Sequence, residues 1–249
     1  METDGILVYA IVRAGARLPR GTKGVGGGDV VLRAVGGGTT AVVVGDAPAQ
    51  VRARRRDLLA HQDLLMGLAE RGPVLPMRFG VMAPDEETLL RRLAAEESSH
   101  VANLKRLAGH VELNVKAMPA EDGLAALLSE DAKVRQLREE IRRRPGYEAS
   151  VRLGEAVVAG LFRRAAEAGR GVLGALTPLA RATAPGPEVR GCALNVSFLV
   201  RRAVAERFRT RVQRLAHLHR DHAELRVSGP LPCYSFVDAR TSAALTGGS

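Results

Sequence analysis

The chain has 249 residues, 46% of them apolar, enough to bury a sizeable core as one large domain or two modest ones. Its formal net charge of +10, from 37 Lys and Arg against 27 Asp and Glu, raises nucleic acid as a partner. Two features oppose that: only Lys23, Lys105, Lys116 and Lys133 are lysines, and aromatic residues make up 3%, too few for the stacking platforms of single-strand readers.

In chain order, Ile6–Val12 is a β-rich run and Val42–Val44 marks another, with Val30–Leu32 a weaker candidate between them. The glycines at 24 and 26–28 read as a mobile surface loop and those at 36–38 as a tight hairpin. No Gly-Lys-Ser/Thr and no dinucleotide fingerprint follows either. Helical spacing runs from Pro48 to Glu70, with Val51, Leu58, Leu59, Gln62, Leu65, Met66 and Ala69 on one stripe. Val74–Met82 is extended. Pro84 and the acids Asp85–Glu87 open a helix that turns Leu89, Leu90, Leu93, Val101 and Leu104 inward and stops at Gly109.

His110–Met118 alternates as a half-buried strand, with Val111, Leu113 and Val115 on one face and Glu112, Asn114 and Lys116 on the other. Pro119 opens a long helical region with one break at Arg144-Pro145-Gly146. Its second half repeats apolar residues at Val151, Val158, Leu161, Phe162, Ala165 and Leu173. Ala184-Pro185-Gly186-Pro187 is a turn, Glu188–Val200 a strand, and Val204, Phe208, Val212 and Leu215 align on a final helix before a strand at Leu225–Ser228. The order strand, helices, strand, helix, strand builds parallel pairs through right-handed crossovers, as in a modified ferredoxin-like layer with a long helical insertion. The fold class is therefore α+β with two domains: an N-terminal unit over residues 1–108, a ferredoxin-like unit over 109–229, and a C-terminal tail over 230–249.

Candidate chemistry is sparse. His217, His219 and His222 with Asp221 suggest a metal cluster, but positions 217 and 219 of a helix point to nearly opposite sides, so no metal or other cofactor is expected. Cys192 and Cys233 read as two free thiols in a reducing cytoplasm. The acidic start Met1–Asp4 lacks the basic stretch of a signal peptide, and no apolar run approaches the ~18 residues that span a bilayer. Without a nucleophile–base–orienter grouping, an enzyme is not expected.

Two rigid segments stand out instead. In Val74-Leu75-Pro76-Met77-Arg78-Phe79-Gly80, Pro76 fixes φ and Gly80 permits a backbone that a side chain would obstruct. Arg78, between Met77 and Phe79 in a run read as half-buried, calls for a carboxylate or carbonyl partner as an internal clamp, with recognition of a partner protein as the alternative. Gly229-Pro230-Leu231-Pro232-Cys233-Tyr234-Ser235-Phe236-Val237 is stiff and apolar, and should dock on the body. The structural or partner-docking candidates are Pro76, Arg78, Phe79, Gly80, Gly229, Pro230, Tyr234 and Phe236.

These two segments, together with the strand Ile6–Val12, the helix around Leu59-Ala60-His61-Gln62, the strand at Gly109-His110-Val111-Glu112 and the strand Leu194–Val200, resemble the gas vesicle accessory proteins of the GvpF/GvpL family. The likeness runs from about Leu7 to Val237. It departs where relatives have Trp-Pro-Pro and this chain has Leu231-Pro232-Cys233, and where they have Thr and this chain has Val81. The resemblance implies a cytoplasmic, gas vesicle-associated structural accessory protein, not an enzyme. Its implied partners are the hydrophobic shell protein (GvpA-type) and other accessory proteins, with binding during nucleation; a basic nucleic-acid-binding protein is the alternative.

Overall fold

The computed structural model of the chain describes residues 5–26, 30–48 and 51–237. They form β1 (Ile6–Arg13), β2 (Leu32–Val35), β3 (Thr40–Asp46), α1 (Arg55–Arg71), β4 (Val74–Pro76), β5 (Met82–Ala83), α2 (Glu86–Ala95) and α3 (Glu97–Leu107). There follow β6 (His110–Pro119), α4 (Gly123–Glu130), α5 (Ala132–Arg143), α6 (Tyr147–Leu176), β7 (Ala182–Pro185), β8 (Leu194–Arg201), α7 (Ala205–Leu218) and β9 (Ala223–Leu231). The chain divides into two compact units, one running to Glu112 and resuming at Pro230, the other Leu113–Gly229. The segment from Pro230, read from sequence as a separate tail, thus groups with the first unit. The fold class is α+β, with two sheets.

In the first unit the sheet runs β2-β3-β1-β4, with β5 also paired to β1, and β1 is antiparallel to β3, β4 and β5. β1 is buried from Leu7 to Val12, which explains its unbroken apolar run: both faces are covered. Leu7, Tyr9, Ala10 and Val12 share a cluster with Leu64, Leu65 and Leu68 of α1. α2 and α3 also lie against this sheet, burying Leu89, Leu93, Leu104 and Leu107.

Three readings of this half change. The helix expected from Pro48 starts at Arg55, because the chain at Arg54 is extended and Val51 packs on the core from outside the helix. Its inward stripe is Asp57, His61, Leu64, Leu65 and Leu68, while Leu58 and Leu59 are exposed. The single helix expected after Pro84 is two, broken at Glu96. The break sets the Glu97 carboxylate where it accepts the Thr39 N–H (2.6 Å) and hydroxyl (2.9 Å) in the β2–β3 turn.

The second unit carries a sheet in the order β7-β8-β6-β9, the strand order of a ferredoxin-like layer. The expected parallel neighbours are not found. β7 and β8 form an antiparallel hairpin. Between β6 and β8, Ala193 N–H bonds to Ala117 O (2.8 Å) and the Asn114 amide to Asn195 (2.8 Å) and Ser197 (3.2 Å), so numbers fall along one strand as they rise along the other. The helical crossovers link strands that have another strand between them. β7 lies partly within the expected Ala184–Pro187 turn, and β8 starts at Leu194 rather than Glu188. Pro185 sits at the end of an edge strand, where its missing N–H costs no ladder bond.

The helical insertion is α4, α5 and α6. The Arg144-Pro145-Gly146 break is present, and a second falls at Asp131, whose carboxylate accepts the Val134 N–H (3.0 Å) and caps α5. Asp131 also binds Arg163, Glu130 binds Arg164 and Glu140 binds Arg152, tying α6 to this region. α6 is buried toward its C-terminal end at Ala165, Ala168, Val172 and Leu176, with Ala165 and Ala168 packed against Ala117 and Ala223. Val151, Val158 and Phe162 of the apolar repeat are exposed. α7 buries Phe208, Val212 and Leu215 as its pattern requires, with Phe208 5.2 Å from Phe198 between ring centres. Among the described residues no helix is long and apolar enough to cross a membrane.

The insertion offers a paired stability test. A Cβ on Gly123 would stand 2.8 Å from the Asp221 carbonyl oxygen, whereas one on Gly154, in mid-helix, meets nothing within 4 Å. Gly123→Ala should cost about 1–3 kcal/mol. Gly154→Ala should stabilise by about 0.5–1 kcal/mol. Denaturant unfolding of both variants checks the contrast.

Candidate docking site

The conspicuous proline segment is a short strand followed by a turn. β4 pairs with β1 through Val12↔Val74, Ile11↔Leu75 and Ala10↔Pro76. Just beyond it, Met77 N–H donates to Tyr9 O (2.9 Å), while Met77 O accepts from His61 Nε2 (3.0 Å). The β1 register shifts between Val8 and Ala10, so Tyr9 has no partner in the β3 register. The chain then turns through Arg78–Val81, closed by Val81 N–H on Arg78 O (3.4 Å), and Val8 N–H returns to Val81 O (2.8 Å). Gly80 has φ +85°, a left-handed conformation that opposes a side chain.

Arg78 is not the internal clamp its neighbours suggested. Met77 takes the buried position, fully enclosed, and the turn carries Arg78 outward into solvent. Among the described residues no carboxylate pairs with it. Phe79 is half-buried, edge-on to the His61 ring at 5.6 Å, and the same imidazole stacks on Tyr9 at 5.4 Å. Tyr9 and His61, both buried, thus form with the half-buried Phe79 an aromatic group supplied by β1, α1 and the turn.

A polar network secures this group. The Tyr9 hydroxyl accepts Val25 N–H (2.9 Å), and buried Asp57, in the first turn of α1, accepts Gly26 N–H (3.2 Å). The loop read as mobile is therefore pinned at Val25 and Gly26; residues 27–29 lie outside the described residues. Burial pushes the Tyr9 phenol above its ordinary value; the Val25 bond opposes this and the Asp57 charge adds to it. Burial also holds the His61 imidazole below 6.5, against the Met77 carbonyl. With Nε2–H donating, His61 Nδ1 is buried and has no partner among the described residues, so a second proton there would be a buried cation without an acceptor.

The closing segment is clasped by groups that sequence reasoning did not single out. Gly229 has φ +115° and Pro230 continues β9. Glu112, placed by alternation on the outer face of β6, is only 4% exposed. Its two oxygens accept the Ser235 N–H (2.9 Å) and hydroxyl (2.7 Å). Arg106 Nη2 donates to Phe236 O (2.5 Å) and to Asn103 (2.9 Å). Phe236 and Cys233 are buried. Tyr234 is half-buried against the cluster that also receives Phe79, so both sequence-marked segments reach one core in the first unit. Burial, aided by the Glu112 charge, pushes the Tyr234 phenol up to about 12. The signal for Glu112 was weak, because a lone acid in an alternating strand reads as solvated.

This arrangement fits packing and docking. His61 is bound to a main-chain carbonyl, and the Cys192 thiol donates to Leu194 O (2.8 Å). No three His, Cys, Asp or Glu among the described residues gather at metal-binding spacing.

Ser235→Ala removes a bond to a buried carboxylate and should cost about 1.5–3 kcal/mol. Phe236→Ala should cost about 3–5 kcal/mol. Thermal unfolding and the rate of proteolytic cleavage in the closing segment check both. The histidines set a pH dependence, since burial lowers both His61 and His100. In the unfolded chain each takes up a proton near pH 6.5, in the folded chain only at lower pH. The unfolded state therefore binds more protons between these limits, and stability, full above about pH 6.5, should fall as pH drops below it. His61→Gln should flatten that slope in denaturant titrations between about pH 5 and 7.

The family model for gas vesicle synthesis protein GvpL/GvpF matches residues 5–238. Gas vesicle protein F of Streptomyces sp. (strain CB03234) is 38% identical over 235 residues, spanning 93% of this chain and 98% of that protein. The crystal structure of GvpF from Anabaena sp. PCC7120 has the same fold, with a TM-score of 0.75 at 20% identity, covering 94% of this chain and 98% of its own. GvpF from Microcystis aeruginosa matches with a TM-score of 0.71 at 20% identity, covering 95% and 100%. This chain belongs to the GvpL/GvpF family of gas vesicle synthesis proteins.

Proposed function

We propose that this protein, in its accessory role in gas vesicle formation, binds the main GvpA-type shell protein and other accessory proteins in the cytoplasm during nucleation, without catalysing a reaction. The observation that carries the reading is family membership over nearly the whole chain. The physical need is plain: a subunit that builds a water-excluding wall exposes apolar surface before assembly, and a partner that covers it prevents aggregation. The docking surface we assign is the Arg78–Gly80 turn. Pro76 ends the strand that leads into it, Phe79 packs within it, Tyr234 joins the same cluster as Phe79, and Gly229, Pro230 and Phe236 fix the closing segment on the first unit. An exposed guanidinium on a rigid turn suits recognition of a carboxylate or carbonyl better than it suits internal support.

The test is co-purification of the tagged protein with co-expressed shell protein, at low and high salt. The shell protein should be retained at both, because the apolar contact resists salt while only the Arg78 contribution is screened. If it never associates, while nucleic acid co-purifies and leaves at high salt, the basic nucleic-acid-binding alternative replaces this reading. Arg78→Ala should leave the melting temperature unchanged and weaken shell-protein retention. A lowered melting temperature would return Arg78 to the scaffold.

A further inference from the structure

α6 carries one apolar face from end to end, and only half of it is used. Tyr147, Val151, Gly154, Val158, Leu161, Ala165, Ala168 and Val172 recur at alternating spacings of four and three, the a and d positions of a heptad seam. From Ala165 onward the seam is buried. Leu161 is half-buried near Gly123 of α4, but from Tyr147 to Val158 the seam is open: Tyr147 is 86% exposed, Val151 41% and Val158 56%, and among the described residues the space beside Gly154 is empty. α4 and α5 do not cover it. Leu127 of α4 meets α6 at Gly160, on the other side of the helix.

The charges beside the seam say what would fit. The arginines Arg152, Arg163 and Arg164 are engaged by Glu140, Asp131 and Glu130. Glu148 and Glu155, both exposed, each follow a d position and so occupy the e flank, with no cation bound to either among the described residues. In paired helices the e and g residues select the partner by charge. Self-pairing does not satisfy this pattern. An antiparallel pair of α6 helices apposes e to e, Glu against Glu. A parallel pair apposes e to g, and the g positions along the open part are Ser150 and Val157.

We propose that the open seam of α6 docks an amphipathic helix of another protein, one whose apolar stripe is flanked by Lys or Arg. This surface belongs to the second unit and the Arg78 turn to the first, so either can fail alone.

The test uses the full chain and two fluorescein-labelled helical peptides with the same Leu/Ile seam, one with Lys and one with Glu at the e and g positions, read by fluorescence anisotropy. The Lys-flanked peptide should bind at least about tenfold more tightly. Val158→Asp should weaken it by about tenfold or more, without change in circular dichroism, since the position is exposed. Glu148→Lys combined with Glu155→Lys should reverse the preference to the Glu-flanked peptide. Equal binding of both peptides, binding of neither, or an unchanged preference in the reversed variant would overturn the proposal. So would a wild-type dimer in sedimentation that Val158→Asp dissociates, because the seam would then pair with itself.

Discussion

The hydrogen bond from His61 to the Met77 carbonyl is the constraint on which the first unit turns. β1 is buried on both faces, so its bulge at Tyr9 and the start of the turn after β4 must find partners inside the protein. Met77 meets this with both main-chain groups, its N–H on Tyr9 and its carbonyl under His61. The imidazole between the Tyr9 and Phe79 rings then fixes the direction in which the chain leaves the sheet. With only 3% aromatic residues in the chain, this concentration of rings at one turn is a structural commitment.

A similar logic governs Glu112. A buried carboxylate is tolerated only when its oxygens are bonded, and Ser235 supplies an N–H and an O–H to it. Arg106 then accounts for the next free carbonyl, that of Phe236. The closing segment is held by a few directed bonds and one buried ring. Directed bonds set its register and the buried Phe236 ring adds apolar packing.

The strand β1, the apolar stripe of α7 and the break before α6 were legible because apolar periodicity reports burial directly. What was hidden was polar. α1 turns Asp57 and His61 inward while the apolar Leu58 and Leu59 face water, so in its first turns apolar character does not mark the buried face. Glu112 was misplaced for the same reason. Arg78 was misread in the opposite direction, since its apolar neighbours implied burial that the turn removes. β7 escaped notice because its edge position tolerates Pro185, and the antiparallel order of the second sheet depends on that hairpin. On α6 the period was right, but periodicity cannot say whether the partner is in the same chain.

The clasp joins Glu112 to Ser235 across 123 residues and Arg106 to Phe236 across 130. Everything between Leu113 and Gly229 belongs to the other unit. A ribosome therefore delivers the whole of the second unit before the first can receive its last segment. Until then Glu112 has no Ser235 and the pocket for Phe236 is open. Such long-range contacts form late and slow folding. Closing so long a loop adds only a logarithmic entropy cost, so the delay weighs on the route more than on the final stability. A nascent or truncated chain keeps an apolar gap beside an unsatisfied acid, whereas the finished chain closes it, which makes the exposure of that gap a built-in marker of incomplete synthesis.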